Sequence, residues 1–402
     1  MSHQETIAHW QEEIAAHLPS VSRTQARLLA WWSYGIVLAN TCGLSSVSYL
    51  LAEIFGCKEN SMRQRLREWH QERTHKRGAQ RREVEVSTCF APLLSWILHH
   101  WNASDKRLAL ALDATTLGER FTVLVLAVQY RGTALPVAWQ VVPAKNKGGW
   151  KPHWQRLLAH LRPAVPADWE VIVLADRGLY GKWLFEQIEG YGWHPFLRIN
   201  ERIFLHPVEG TSGFVPASSL AAQPGESWQG VVDLSRSQPG RLRCRVLVTW
   251  QANQEERWVI VTDAEYTHAC VAWYGMRFWI ESGFRQMKRG GWHWHLTRMN
   301  DARRATRLWL ALALATLWSV RLGLPSATDE RPASSHRATE GRSWPHLSCQ
   351  ARGRLRVLAH LGEAPVLEAQ PLIPQPWPSA LPTRGRPTSA WIKKRRRKDN
   401  RR

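Results

Sequence analysis

Paired cysteines, a membrane-length apolar run and acidic charge are what this chain is short of. Its six cysteines (Cys42, Cys57, Cys89, Cys244, Cys270, Cys349) are scattered with no CxxC pair, which excludes a zinc ribbon and a disulfide framework and predicts reduced, structural thiols. The longest apolar run, Leu308 to Val320, stops at Arg321. That is short of the roughly 20 residues a span requires, so it predicts a buried helix and no membrane partner. Residues Met1 to Leu18 hold no basic stretch followed by an apolar one, which predicts a protein that stays in the cytoplasm. Acid is scarce: 33 Asp and Glu stand against 54 Lys and Arg, a formal net charge of +21. Such a balance predicts a polyanionic partner, nucleic acid before an anionic membrane surface.

What is present changes character twice along the 402 residues, enough for two or three domains. Residues 1–100 read as an all-α domain. Thr6 to Leu18, Ser22 to Ala39, Ser45 to Phe55 and Ser61 to Trp69 are helix-length and separated by short polar or glycine-containing breaks. The last two, with Gly56-Cys57-Lys58-Glu59-Asn60 between them, have the lengths and turn composition of a helix-turn-helix. A basic run overlaps and follows: Arg63, Arg65, Arg67, Arg73, Lys76, Arg77, Arg81 and Arg82. Two packed helices of an ordinary bundle would look the same without those cations. With them, Arg63, Arg65 and Arg67 become candidate DNA contacts.

From Arg107 the period becomes that of strands. Leu108 to Leu112, Phe121 to Val128 and Val137 to Val142 form a meander, Trp150 to Leu161 a helix, and Trp169 to Ala175 a strand apolar on both faces, as a central parallel strand should be. Trp183 to Tyr191 is a second helix and His194 to Ile199 a fifth strand. The order βββαβαβ, then a helix, predicts an α/β mixed sheet over residues 101–324, and a right-handed crossover puts the fourth strand beside the first. Residues from about 200 to 262 interrupt it with a β-rich insertion (Trp228 to Asp233, Leu242 to Thr249, Trp258 to Thr262), and a long helix, Asp301 to Leu322, follows. Residues 325–402, rich in Pro, Ser and Arg, read as a largely disordered basic tail with one helix, Gln350 to Leu361. Its end, Arg384 to Arg402, suits any polyanion.

Two carboxylates directly follow apolar strands: Asp113 after Leu108 to Leu112, and Asp176 after Val171 to Ala175. If those strands are parallel neighbours, the acids meet at one rim of the sheet. A third acid, Glu281, lies in Tyr274 to Lys288, which reads as one helix. At about 100° per residue Arg277, Glu281 and Lys288 fall within about 60° of Tyr274, and Arg285 joins that face. Alone, such a face is as readily a solvated one laced by pairs of the Glu281 to Arg285 kind. A lone Asp176, before Arg177-Gly178, is as readily a turn or a helix cap. Together the three suit hard divalent cations, since two metals about 3.5 to 4 Å apart activate both oxygens of an in-line phosphoryl displacement. Glu119, Asp168, Asp233 and Asp263 sit in turns without such a setting. His293 and His295 lack a third ligand at metal spacing and read as surface histidines.

The spacing Tyr274-x2-Arg277-x3-Glu281-x6-Lys288 resembles the YREK motif of DDE transposases of the bacterial insertion-sequence-four branch. Leu112-Asp113-Ala-Thr-Thr116, Ala175-Asp176-Arg-Gly-Leu-Tyr180, an insertion between the second Asp and the Glu, and Trp258-Val-Ile-Val-Thr262 agree with it over about residues 105 to 300. The resemblance implies an RNase H-like catalytic domain in which Asp113, Asp176 and Glu281 hold two Mg2+ ions, with Mn2+ as a substitute. Activated water would cut at the ends of a mobile element, and the freed 3′ hydroxyl would attack target DNA. Tyr274, Arg277 and Lys288 would clamp phosphate, Arg285 would touch the backbone, and Trp258 would stack on a flipped base. One of 24 tryptophans, Trp258 could equally be a core aromatic opening a strand. The implied partners are double-stranded DNA (terminal inverted repeats and target) and a second copy, because each end needs an active site, in the cytoplasm of a bacterium. Two rivals follow the same residues: an RNase H-like nuclease without strand transfer, and a catalytically idle descendant that binds DNA. The clamp and insertion favour strand transfer over the first. Against the second, carboxylates facing a polyanion give a binding module nothing.

Overall fold

The structure, a computed structural model, describes residues 3–76, 82–99, 101, 105–145, 148–210, 213–237, 240–251, 255–265, 270–324, 347–359, 369–372, 374 and 376–379. Five helices come first: α1 (His3–His17), α2 (Arg23–Ala39), α3 (Leu44–Phe55), α4 (Glu59–Trp69) and α5 (Phe90–His99). The strands β1 (Arg107–Leu117), β2 (Phe121–Tyr130) and β3 (Thr133–Pro143) follow, then α6 (Lys151–Leu161), β4 (Glu170–Ala175), α7 (Lys182–Glu189) and β5 (His194–Ile199). The insertion supplies β6 (Phe204–Pro207), β7 (Val215–Pro216), β8 (Ser227–Leu234), β9 (Leu242–Thr249) and β10 (Trp258–Thr262). Last come α8 (Cys270–Gly275), α9 (Phe278–Arg285), α10 (Ala302–Leu322) and α11 (Cys349–Ala359). These residues form two compact units, one of 1–175, 186–193 and 277–375, the other of 176–185, 194–276 and 376–402.

In the first unit β1 is flanked by β2, antiparallel, and by β4, parallel, with Leu112 opposite Ala175; β3 pairs antiparallel with β2 through an irregularity at Leu126 and Ala127. The fourth strand therefore lies beside the first, as a right-handed crossover requires. One boundary differs from the sequence reading. Pairing with β4 ends at Leu112, but pairing with β2 runs on to Leu117, so Asp113 sits inside β1 instead of after it. The Ala114-Thr115-Thr116-Leu117 continuation, half of it β-branched, fits a pleated strand and keeps the antiparallel ladder intact.

Helix α10 is the centre of this unit: every residue from Leu308 to Leu322 is buried. Among the described residues no single helix is long and apolar enough to cross a membrane, and α10, buried on every side from Leu308 to Leu322, is a core helix. The sheet reaches it through the Trp139 indole, which donates to the Thr306 carbonyl at 2.9 Å. The amino-terminal helices reach it through Trp10, whose ring stacks on Trp318 at 5.8 Å and whose N–H donates to Ser33 Oγ at 2.8 Å. Helices and sheet thus share one core, in which each fully buried large side chain contributes roughly 1.5 to 3 kcal/mol. Arg321 is buried yet satisfied, donating to both Glu13 oxygens at 2.9 and 3.1 Å and to the Ala369 and Gln370 carbonyls. A charge so deep is tolerated because each face of its guanidinium has an acceptor.

Helix α2 opens with a capping box, Ser22 Oγ accepting the Gln25 N–H and Gln25 Oε1 accepting the Ser22 N–H. Helices α3 and α4 are joined by Gly56-Cys57-Lys58, and Gly56 takes a φ of 58° that ends α3 in the left-handed region. Helix α4 buries Met62, Leu66 and Trp69 and starts two residues earlier than the sequence suggests. Arg63, Arg65 and Arg67 are all exposed, but they do not share a face. Arg63 and Arg67 lie one turn apart, while Arg65 flanks the other edge of the buried stripe, over Trp31 at 6.0 Å. Of the cations that follow, Arg77 and Arg81 lie outside the described residues. So do 325–346, 360–368 and 380–402, which include the basic end of the tail. The predicted tail helix is α11, and it packs on α10.

His70, after α4, is 8% exposed and edge-on to Trp32. Burial, with the Arg304 cation adding to it, pushes its imidazole down to about 4. The native state therefore keeps a neutral ring while the unfolded chain takes up a proton near pH 6.5. Between 6.5 and 4 the unfolded state binds more protons, so stability is fully present above that window and falls with pH inside it, by roughly 3 kcal/mol in all. Urea unfolding from pH 7 to 4 should show this slope in wild type and lose it in His70→Gln; parallel curves would contradict it.

The second unit is an antiparallel sheet in the order β5-β10-β9-β8-β6-β7. Strand β10 is central to its first part and buried along its whole length. Arg257 anchors the segment before β10: its guanidinium lies 3.8 Å from the Trp250 ring centre and donates to the Ala221 and Ala222 carbonyls.

Candidate active site

The predicted site residues fall in both units, and each set is described within its own. In the first unit Asp113 projects from β1 and Arg277 and Glu281 from the start of α9. Arg277, its side chain 5% exposed, donates from Nη1 to Asp113 Oδ2 at 3.2 Å and from Nη2 to Glu281 Oε1 at 2.8 Å. One guanidinium so bridges two carboxylates 168 residues apart in sequence, its rigid planar fork fixing the direction of both bonds. The second Asp113 oxygen accepts the Ala114 N–H at 2.7 Å. The Arg277 guanidinium also lies 4.7 Å from the Phe278 ring centre. Glu281 pairs back to Arg277, the residue one turn before it, and its side chain is still 49% exposed.

Packing sets this geometry. Ile280 and Gly283 form the buried side of α9, and a Cβ at Gly283 would stand 3.1 Å from that of Ala134 on β3. The helix can lie close against the sheet because that methyl is missing.

The single helix expected over Tyr274 to Lys288 is broken twice. Helix α8 ends at Gly275 and α9 begins at Phe278; around the break the bonds shorten to three-residue steps, Met276 N–H to Trp273 O and Ile280 N–H to Arg277 O. After Arg285, residues Gln286–Gly290 form a π-turn. A π-turn rotates less per residue than an α-helix, so the projection at about 100° per residue fails for Lys288. The cause lies just beyond: Gly290-Gly291 end the helix, and Trp292 is drawn into the core, where its indole donates to Thr316 Oγ1 at 2.9 Å. Lys288 is half-buried, and burial, then the Arg289 charge, lowers its pKa. Arg285 is exposed in the last turn of α9.

In the second unit Asp176 opens a turn, accepting the Arg177 N–H on its side chain at 2.8 Å and the Leu179 N–H on its carbonyl. Arg198 on β5, its side chain 12% exposed, lies 3.9 Å from Asp176 Oδ1 and donates to Glu256 at 2.9 Å. Each acid group thus has an arginine, buried Arg277 or part-buried Arg198, linking it to a second carboxylate. Arg198 and Glu256 escaped the sequence reading. The available signal was a lone cation inside the apolar strand His194 to Ile199. Trp258 opens β10 at 7% exposure, and Tyr274, fully buried, meets it edge-on at 5.2 Å. Both rings lie in the core of this unit instead of facing solvent. His293 and His295, in the first unit, stand edge-on to each other at 5.8 Å.

Among the described residues no three His, Cys, Asp or Glu side chains are gathered around one point that could hold a metal ion. The donor set of the first unit still fits one chemically. Asp113 and Glu281 offer hard oxygens and already converge on one cation, the Arg277 guanidinium.

Residues 105–318 match the family model described as "Transposase DDE domain". Among curated proteins none matches. A solved structure described as a cryo-EM structure of a piggyBac transposase synaptic complex with hairpin DNA is similar at a TM-score of 0.37 and 9% identity, over 78% of each chain. A likeness that slight carries no weight beside the family match.

Proposed function

The chain belongs to the transposase DDE-domain family and is a DNA-cleaving transposase, and from that premise we propose that it cuts at the ends of a mobile element and joins them to target DNA. The observation that carries the assignment of residues is the bridge from Asp113 through Arg277 to Glu281. It brings together Asp113, selected by its place after an apolar run, and Glu281, selected by the motif spacing. We assign Asp113, Asp176 and Glu281 to two divalent ions, Mg2+ or Mn2+, and place the pattern in the YREK branch with an RNase H-like core. The strand order β3-β2-β1-β4, with an acid on β1 and another directly after β4, supports that reading.

When bound, the ions supply an activated water and neutralise charge on the attacked phosphate. The chain's own residues do the rest. Arg277 orients two of the carboxylates that would hold the ions. Lys288, half-buried on the π-turn, offers phosphate a compact charge that burial strengthens. Arg285, exposed beside it, suits the DNA backbone, as do Arg63, Arg65 and Arg67 on α4. A two-ended substrate calls for a homodimer.

The test is DNA bearing the element's inverted repeats, incubated with protein and Mg2+ or Mn2+. Excised and joined products are expected. Cleavage without joined product would favour the nuclease, and Mg2+-independent binding without turnover the idle binding protein.

A further inference from the structure

We infer that a cleft of about 460 Å3 in the first unit, at the amino-terminal end of α3, holds one backbone phosphate of bound DNA. This deepens the DNA-binding part of the reading above and rests on it. The cleft is lined by Ser45, Ser46, His70, Thr297, Arg298 and Arg304, among others, and no Asp or Glu lines it. Much of its wall is apolar (Trp32, Leu44, Leu296, Met299, Leu308), and the polar groups set into it are hydroxyls, an imidazole, an amide and two guanidinium groups. Helix α3 is capped by Gly43, which supplies no side-chain bond, and has no acid in its first turn, so the amides of that turn lack an acceptor from this end. Uncapped amides at the positive end of a 12-residue helix are a ready anion seat.

A second observation points to the same ligand. His70 is 8% exposed on the cleft wall, and its Nδ1 has no hydrogen-bond partner; neither has the buried Nε of Arg304. Polar atoms that deep are normally satisfied. Asp301, on the adjoining segment, is engaged in capping α10 through the Arg304 N–H at 2.8 Å. Arg298 is exposed at the mouth. The loop that carries it is preformed, since Arg120 donates to the Thr297 and Met299 carbonyls at 2.6 and 2.9 Å. A phosphodiester, singly charged with two free acceptor oxygens, matches a seat of amides, hydroxyls and guanidinium groups. The open mouth suits a group fixed in a polymer.

Ser46→Glu separates this role from a structural one. Ser46 is the third residue of α3 and exposed, and a Glu there favours the helix terminus while repelling phosphate. Binding would be measured on duplexes that each carry one neutral methylphosphonate, with Arg304→Gln as second variant and thermal melting as the fold control. In wild type one linkage should cost about tenfold in affinity when neutralised. In both variants that linkage should cease to matter, the log–log salt slope should shrink by about 1, and Ser46→Glu should melt no lower than wild type. Unchanged methylphosphonate profiles in two folded variants that still bind DNA would overturn the cleft and leave the transposase standing. A wild-type chain that holds no DNA at low salt would overturn both.

Discussion

Glu281→Gln should abolish DNA cleavage while leaving DNA affinity equal to wild type or higher. The substitution is nearly isosteric, and its amide oxygen can keep accepting from Arg277 Nη2, which Glu281 Oε1 now meets at 2.8 Å. What disappears is the negative charge that a divalent ion needs. Charge stabilisation by such ions is worth several kcal/mol in the transition state, so the expected loss is about a thousandfold or more. Affinity moves the other way, because an acid facing a polyanion is removed. Asp113→Asn should behave alike, and Glu265→Gln, exposed and paired with Arg245, should cleave normally. Plasmid cleavage and gel-shift binding on the same preparations decide it. A Glu281→Gln protein that cuts within tenfold of wild type would remove Glu281 from the reacting centre.

That prediction depends on residues that could be found without coordinates, and it is instructive which ones. Asp113 stood out because an acid at the end of Leu108 to Leu112 breaks an apolar pattern, and Glu281 because its spacing from Tyr274, Arg277 and Lys288 is specific. That β4 lies beside β1 followed from a right-handed crossover, while their register did not. Periodicity gave no account of how Arg277 is used. As a phosphate clamp it would face DNA, whereas its side chain is 5% exposed and spans two acids. Helical projection treats every residue as α-helical, so it could not register the break before Phe278 or the π-turn after Arg285. The second adjoins a distant contact, the Trp292 indole bonded to Thr316 of α10. The Arg198 to Glu256 pair was hidden for a related reason: it links residues 58 apart, and a single sequence does not state such pairings. Trp258 and Tyr274 are a mutual edge-on contact, so base stacking on Trp258 would require that pair to open.

Gly353→Ala should destabilise the first unit by about 3 kcal/mol, although helix propensity alone predicts a gain of about 1 kcal/mol. Gly353 on α11 and Gly323 at the end of α10 lie where the two helices meet backbone to backbone. A Cβ at Gly353 would fall on the Ser319 carbonyl oxygen, and one at Gly323 on the Cys349 carbonyl oxygen. No rotamer relieves a clash with a backbone atom, so the helices must separate. Separation strips Cys349, Gln350 and Val357 of their cover and breaks the two bonds from Arg356 to the Leu322 and Leu324 carbonyls. It also reaches the site, because Ser348 beside α11 accepts from Gln286, the first residue of the π-turn that carries Lys288. Urea unfolding should therefore show a lower midpoint for Gly353→Ala, and limited proteolysis should cut within 347–359 before the remainder of the unit. The opposite signs of propensity and packing make the result decisive: a midpoint at or above wild type would mean that α10 and α11 do not cross at these glycines.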